Sequence, residues 1–181
     1  MGNFEKYNHL KFGIKEPVLD IGGGRGEMMV FFKVKDATII DFNKSDGKRY
    51  KFIQADITKR LPELKRKFKT IFLFEVLEHI RNPLYLMAQV YDLLEDDGTV
   101  YISFPYTEIH PTHHHVSRWT KKEILQQMDK LGFRPRVIWQ RRRFKNLGFW
   151  LPHCWLTLEL KKRINNGGGD SIRFYSKNNS P

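Results

Sequence analysis

The sequence predicts an α/β protein: one doubly wound, mostly parallel sheet of seven strands, with a shortened second crossover. Three observations predict it. Short apolar runs alternate with stretches of helical period, the pattern of a parallel sheet covered on both faces. The first run breaks into the glycine-rich turn Gly22-Gly23-Gly24-Arg25-Gly26 ahead of a helix-compatible stretch. Carboxylates close later runs at Asp41 and just past one at Asp56, at the strand ends where ligands bind in such sheets.

Taken in order, Val18 to Ile21 reads as the first strand and Glu27 to Phe32 as the first helix. Thr38 to Asp41, Tyr50 to Ile53 and Thr70 to Phe74 read as strands two to four. Asn82-Pro83 is a good N-cap and first-turn pair. It opens a helix whose apolar positions Leu84, Met87, Val90, Leu93 and Leu94 recur at helical spacing until Asp97-Gly98 turns the chain. Thr99 to Phe104 is the fifth strand. Thr120 and Glu123 form a capping box ahead of Ile124, Leu125, Met128 and Leu131, and Gly132 closes that helix. Arg134 to Gln140 and Leu156 to Leu160 supply the last two strands. A chain of 181 residues suits one well-buried domain. Residues 1–164 are assigned to it, and the Gly, Ser and Asn-rich stretch from Asn165 to a disordered tail.

The composition bounds the class. An apolar fraction of 40% and an aromatic fraction of 14% exclude a wholly disordered chain. Cys154 is the one cysteine, so it forms neither an internal disulfide nor, by itself, a thiolate metal site. Met1 to Leu10 carry no apolar signal core, and Lys6 stands where a myristoylation signal needs Ser or Thr. The expected location is cytoplasmic. The net charge of +12 favours phosphate, nucleic-acid or anionic-lipid partners. It is concentrated in Lys44 to Lys69 and in Arg134 to Arg163, which contains Arg141, Arg142 and Arg143. A charge run also serves simply as a solvated face.

A glycine turn between strand and helix lets the backbone approach a ligand where a side chain would collide. A dinucleotide site would show G-x-G-x-x-G, but Glu27 holds the third glycine position and Gly26 instead completes G-x-G-x-G. That spacing disfavours a pyrophosphate ligand, and a nicotinamide dehydrogenase with it. Asp41 can accept hydrogen bonds from both hydroxyls of a ribose, and Asp56 is placed to receive an adenine amino group. Each carboxylate alone is as readily a cap or turn residue; their joint occurrence at successive strand ends points to a nucleoside.

Val18 to Glu27 (VLDIGGGRGE), Asp41, Gln54-Ala55-Asp56-Ile57, Glu75-Val76-Leu77-Glu78-His79-Ile80 and the stretch Asn82 to Pro105 resemble the successive motifs of class I S-adenosylmethionine-dependent methyltransferases. The resemblance is strongest to the small-molecule group that includes the ubiquinone and menaquinone methyltransferases, and it runs from about Val18 to Phe133. It implies a Rossmann-like methyltransferase fold with S-adenosyl-L-methionine as cofactor. Gly22, Gly23, Gly24 and Gly26 would line the methionine and ribose side with Asp20 close by. Asp41, with Phe42 beside it, would bind the ribose, Asp56 and Ile57 the adenine, and Phe74 and Glu75 the side near the sulfonium. Two features depart from the family. Nine residues separate Asp41 from Lys51, too few for the usual helix, and 17 precede the first strand, leaving little for N-terminal lid helices. An open pocket for a large or surface-bound acceptor is expected.

Methyl transfer is an in-line displacement, so positioning supplies much of the catalysis, and a base is needed only for a protonated acceptor. The candidates are Glu75, Glu78, His79 and the loop histidines His110, His113, His114 and His115, with His115 preferred on the acceptor side. Glu78 and His79 read equally well as helix-start polar residues. No metal is expected, because consecutive histidines diverge and no acidic or cysteine partner stands at a ligand-like spacing. No Asn/Asp-Pro-Pro-Tyr run follows strand four, and Cys154 lacks a preceding proline, which disfavours the amino-methylating DNA and cytosine-C5 reactions.

Leu147 to Leu160 is apolar and aromatic between basic flanks, but shorter than the ~20 residues a membrane helix needs. It suits an anionic membrane surface and a lipid-linked acceptor, or, with Trp139, Phe144 and Trp150, RNA bound by phosphate contact and stacking. Trp155, Leu156, Leu158 and Leu160 also read as plain core positions of the last strand. Three functions follow: methylation of a small or lipid-linked acceptor, methylation of RNA, or a basic binding module with a vestigial cofactor site.

Overall fold

The computed structural model describes residues 5–43, 49–107, 115–141 and 154–163. Seven strands form one sheet: β1 Val18–Ile21, β2 Ala37–Asp41, β3 Lys51–Gln54, β4 Phe68–Phe74, β5 Leu94–Thr107, β6 Phe133–Arg141 and β7 Cys154–Lys162. Their order is β3-β2-β1-β4-β5-β7-β6. The first five neighbours in that order run parallel, and β7 is antiparallel to both β5 and β6. The chain moves outward from β1 to β3 and then returns to β4 on the other side of β1. The gap between β1 and β4 at their carboxyl ends is therefore the switch point, where a ligand crevice opens.

Alternation along each strand divides the core. Leu19, Ile21, Ile71 and Leu73 face one cluster, completed by Leu86, Met87 and Val90 from α2 (Pro83–Leu93) and by Ile124 and Met128 from α3 (Lys121–Lys130). Val18, Phe72 and Phe74 face a second, aromatic cluster with Tyr7, Leu10, Met29 and Tyr101. Both faces are buried, so the strands read as near-continuous apolar runs. Leu156, Leu158 and Leu160 are fully buried in β7, which bears out the core reading of those positions.

The helix starts form where the caps are. Asn82 Oδ1 accepts the Tyr85 N–H at 3.2 Å, with Pro83 in the first turn. Thr120 Oγ1 accepts the Glu123 N–H at 3.2 Å while Glu123 Oε2 accepts the Thr120 N–H at 2.8 Å, a complete capping box.

Two expectations are corrected. Leu94 does not continue α2: its ψ of 137° is extended, and it begins β5 opposite Phe68. Glu95 to Gly98 then bulge out before Thr99 resumes the pairing with Thr70. Leu93 and Leu94 are both apolar, and Leu94 is fully buried as a strand residue, so helical period alone overran the boundary. The 17 residues ahead of β1, expected to leave little for helices, also contain one. Glu5–Gly13 is a 3-10 helix, whose three residues per turn put Tyr7 and Leu10 on one buried face.

Candidate active site

β1 ends at Ile21 and passes into Gly22, where φ is 73°, a conformation that costs glycine nothing. A Cβ at Gly22 would stand 2.6 Å from Val76 Cγ2, so β4's exit and this turn meet without space between them. Gly24, at φ 55°, is different: a Cβ there would meet nothing within 4 Å. Its backbone borders open space at the switch point. α1 (Glu27–Phe31) begins directly after Gly26. Gly22, Gly23, Gly24 and Gly26 thus form the continuous turn the sequence predicts.

Asp41, at the end of β2, closes over that turn. Its Oδ2 accepts the Gly24 N–H at 2.9 Å and its Oδ1 the Asn43 N–H at 2.9 Å. Each oxygen keeps a second lone pair, so the carboxylate is fixed in place and still able to accept two hydroxyls. Asp20 lies beneath the turn, 2% exposed. Its Oδ2 has no hydrogen-bond partner among the described residues. Burial, and after it the charge of Asp41, push its carboxyl up from 3.8 to about 7. An orphaned buried acid beside an open turn is incomplete without a cationic or hydrogen-bond-donating ligand.

Asp56 follows β3, and Ala55, preceding it, donates its N–H to the Asp41 carbonyl. The Asp56 carboxylate is engaged locally: Oδ1 accepts from the Thr58 N–H and hydroxyl, and Oδ2 stands 3.8 Å from Lys59 Nζ. Those two Thr58 bonds hold its carboxyl below the usual range. Ile57 is half-buried beside it. Phe42 is 66% exposed.

The opposite wall is aromatic. Tyr7 stacks on Phe74 with centroids 4.4 Å apart and an 11° interplanar angle. The Tyr7 hydroxyl donates to Glu75 Oε1 at 3.3 Å and lies 3.1 Å from Ser103 Oγ. Glu75, directly after β4, sits at φ 58°, a region that disfavours side chains and clusters at functional sites. Sequence reading missed Tyr7 as a site residue. The signal available was its three-residue spacing from Leu10, which marks one face of a 3-10 turn.

Val76 leads into the short 3-10 turn Leu77–His79. The Glu78 carbonyl accepts the N–H groups of Val116 at 2.8 Å and Ser117 at 3.1 Å, and the Ser117 hydroxyl donates to the Ile80 carbonyl. These bonds dock the segment after β5 onto the turn after β4. They bring His115 against His79, edge to face with centroids 4.9 Å apart. One ligand atom from each of Glu78, His79 and His115 lies within 4.8 Å of the others. The fold therefore supplies the acidic neighbour that spacing along the chain did not show. His110, His113 and His114 lie outside the described residues, as do Arg142, Arg143, Phe144, Trp150 and the tail; Arg141 ends β6.

Residues 10–137 match the family model described as methyltransferase domain, and the chain belongs to that family of class I S-adenosylmethionine-dependent methyltransferases. It is an enzyme with S-adenosylmethionine as cofactor. The fold is similar to Burkholderia thailandensis 1,6-didemethyltoxoflavin-N1-methyltransferase, solved with its acceptor and S-adenosylhomocysteine. The TM-score is 0.65 at 20% identity, covering 86% of this chain and 74% of that one. It is similar also to a chain from the complex of the Haloferax volcanii Trm112 methyltransferase activator with a methyltransferase, with a TM-score of 0.68 at 15% identity and 91% of both chains covered. The glycopeptide N-methyltransferase MtfA gives 0.59 at 14% identity, over 87% and 89%. No curated protein sequence matches the chain.

Proposed function

We propose that this methyltransferase acts on a small or lipid-linked acceptor in an open pocket between the glycine turn and the Glu75 to His79 segment. The observation that carries the reading is the Asp20, Gly22 to Gly26 and Asp41 constellation, an orphaned buried acid and a fixed carboxylate around a backbone that faces open space. Bound there, S-adenosylmethionine supplies a methyl group on a sulfonium leaving group. The protein's task is then positioning. Asp41 receives the ribose hydroxyls and Gly24 gives the backbone room for them. Asp20 provides the anion for the methionine ammonium, which ends its isolation. Asp56 and Ile57 border the adenine on the exposed flank, with Phe42 over it. Tyr7 and Phe74 wall the far side and hold Glu75 toward the methyl group.

The named activity of one structural neighbour, 1,6-didemethyltoxoflavin-N1-methyltransferase, supports a small acceptor. The basic end around Arg141, Arg142 and Arg143 suits a lipid-linked one at an anionic surface. The test is transfer from methyl-labelled S-adenosylmethionine into a cell extract separated into RNA, protein, lipid and small-molecule fractions. Label in the lipid or small-molecule fraction is expected. Label confined to RNA overturns the acceptor assignment.

A further inference from the structure

We propose that Glu78, His79 and His115 bind a divalent transition-metal ion on the acceptor side of the pocket. The inference deepens the reading above and rests on it for the role of the ion, though not for its binding. Two imidazoles and a carboxylate are a recurrent three-ligand set for Zn2+ and its first-row neighbours in sites that keep a further position for substrate.

Three features make this a built site. First, the ligand atoms converge, all within 4.8 Å of one another. An ion roughly 2.1 Å from each needs them about 3.4 Å apart, so binding draws the three ligand atoms together, and His79 is the exposed one of the three. Second, the scaffold is rigid where it matters. The two N–H groups of Val116 and Ser117 on the Glu78 carbonyl tie the two ligand-bearing segments together. Third, exposure is graded. Glu78 is 2% exposed, His115 is half-buried and His79 is exposed. The carboxylate thus anchors the ion from the protein side and the open coordination positions face the solvent side.

The cluster stands one turn beyond Glu75, and Val76 between them contacts the glycine turn at Gly22. On the proposed function, an ion there would face the acceptor. Its chemistry is to bind an acceptor hydroxyl and lower that hydroxyl's pKa. The hydroxyl proton passes to water. The oxygen then forms its bond to the methyl carbon as the carbon–sulfur bond breaks and sulfur keeps the electron pair. The substrate class this selects is an oxygen nucleophile with a hydroxyl that can reach a metal.

The test is titration of untagged, full-length protein with Co2+, read by visible absorption and calorimetry, with Zn2+ as competitor. Thermal unfolding and S-adenosylhomocysteine binding are measured on the same samples. One equivalent of Co2+ is expected, displaced by Zn2+. His79→Ala and His115→Ala should each weaken it on the order of 100-fold, at least the loss that removing an outer-shell partner causes, with unfolding temperature and S-adenosylhomocysteine binding kept. Glu78→Gln is the third variant; because Glu78 is buried, the exposed His79 carries the decision if that variant unfolds. No stoichiometric binding, or binding unchanged in both histidine variants, overturns the site. S-adenosylhomocysteine binding without Co2+ binding refutes this inference alone. Co2+ binding without S-adenosylhomocysteine binding keeps the ion site and removes its assigned role.

Discussion

Asp20 couples the site to pH. In the folded protein its carboxyl is raised to about 7 by burial and by Asp41, so between pH 4 and 7 the folded chain holds a proton that the unfolded chain has released. Stability from this group is full below the ordinary carboxylate pKa and falls as pH rises toward 7. Ligand binding runs the other way, because the ionised form receives the ammonium. The affinity for S-adenosylhomocysteine should rise about tenfold per pH unit below 7 and level above it, where the acid is already ionised. Asp20→Asn should flatten that profile and weaken binding, and calorimetry from pH 5.5 to 8 reads both. Tyr7→Phe removes the hydroxyl shared by Glu75 and Ser103 while keeping the stack on Phe74. The expected cost is about 1 kcal/mol of stability, with a fall in kcat at unchanged S-adenosylhomocysteine affinity. At this scale the sequence exposed what is local. Gly22 to Gly26 and Asp41 could be read because strand, turn and carboxylate form one short pattern. Tyr7 against Glu75 and His115 against His79 could not, since only the folded sheet joins segments that far apart in the chain.

Among the elements, α3 is the one whose cap carries site geometry, because its start directly follows the segment that holds His115. Thr120→Ala removes the Oγ1 half of the capping box, leaves the backbone N–H bond to Glu123 Oε2, and should cost about 1 kcal/mol. Urea unfolding monitors that loss as a lower midpoint at unchanged slope. Capped starts such as Asn82-Pro83 and Thr120 were legible because side-chain chemistry fixes them. The end of α2 was not, since Leu94 satisfies a helix face and a buried strand equally well and only its pairing with Phe68 decides. The 3-10 helix Glu5–Gly13 escaped for a related reason: its period is three rather than 3.6, and its apolar face consists of little more than Tyr7 and Leu10.

At the level of the whole molecule, alternation and the glycine turn made a mostly parallel, seven-stranded sheet legible, while the order of its strands is read from their pairing. The antiparallel insertion of β7 between β5 and β6 closes the sheet. β2 and β3 pair in parallel, and the nine residues between Asp41 and Lys51 are fewer than a usual crossover helix needs. Tyr50 takes part of that covering role, its hydroxyl donating to the Val34 carbonyl at 3.0 Å and its ring packed on the aromatic cluster. On the proposed function, the cofactor site is exposed at Phe42 and buried at Asp20. On that reading the methyl donor binds through Asp41 and beside the Gly24 backbone. Calorimetric titration of the wild type, Asp41→Ala and Gly24→Val with S-adenosylhomocysteine tests it most directly. One equivalent should bind to the wild type. Asp41→Ala should lose roughly 100- to 10,000-fold, since two hydrogen bonds to a charged group are worth about 3–6 kcal/mol, and Gly24→Val should bind no better than the wild type, because valine resists φ 55°. Absence of binding by the wild type, or affinity unchanged in both variants, would contradict the account.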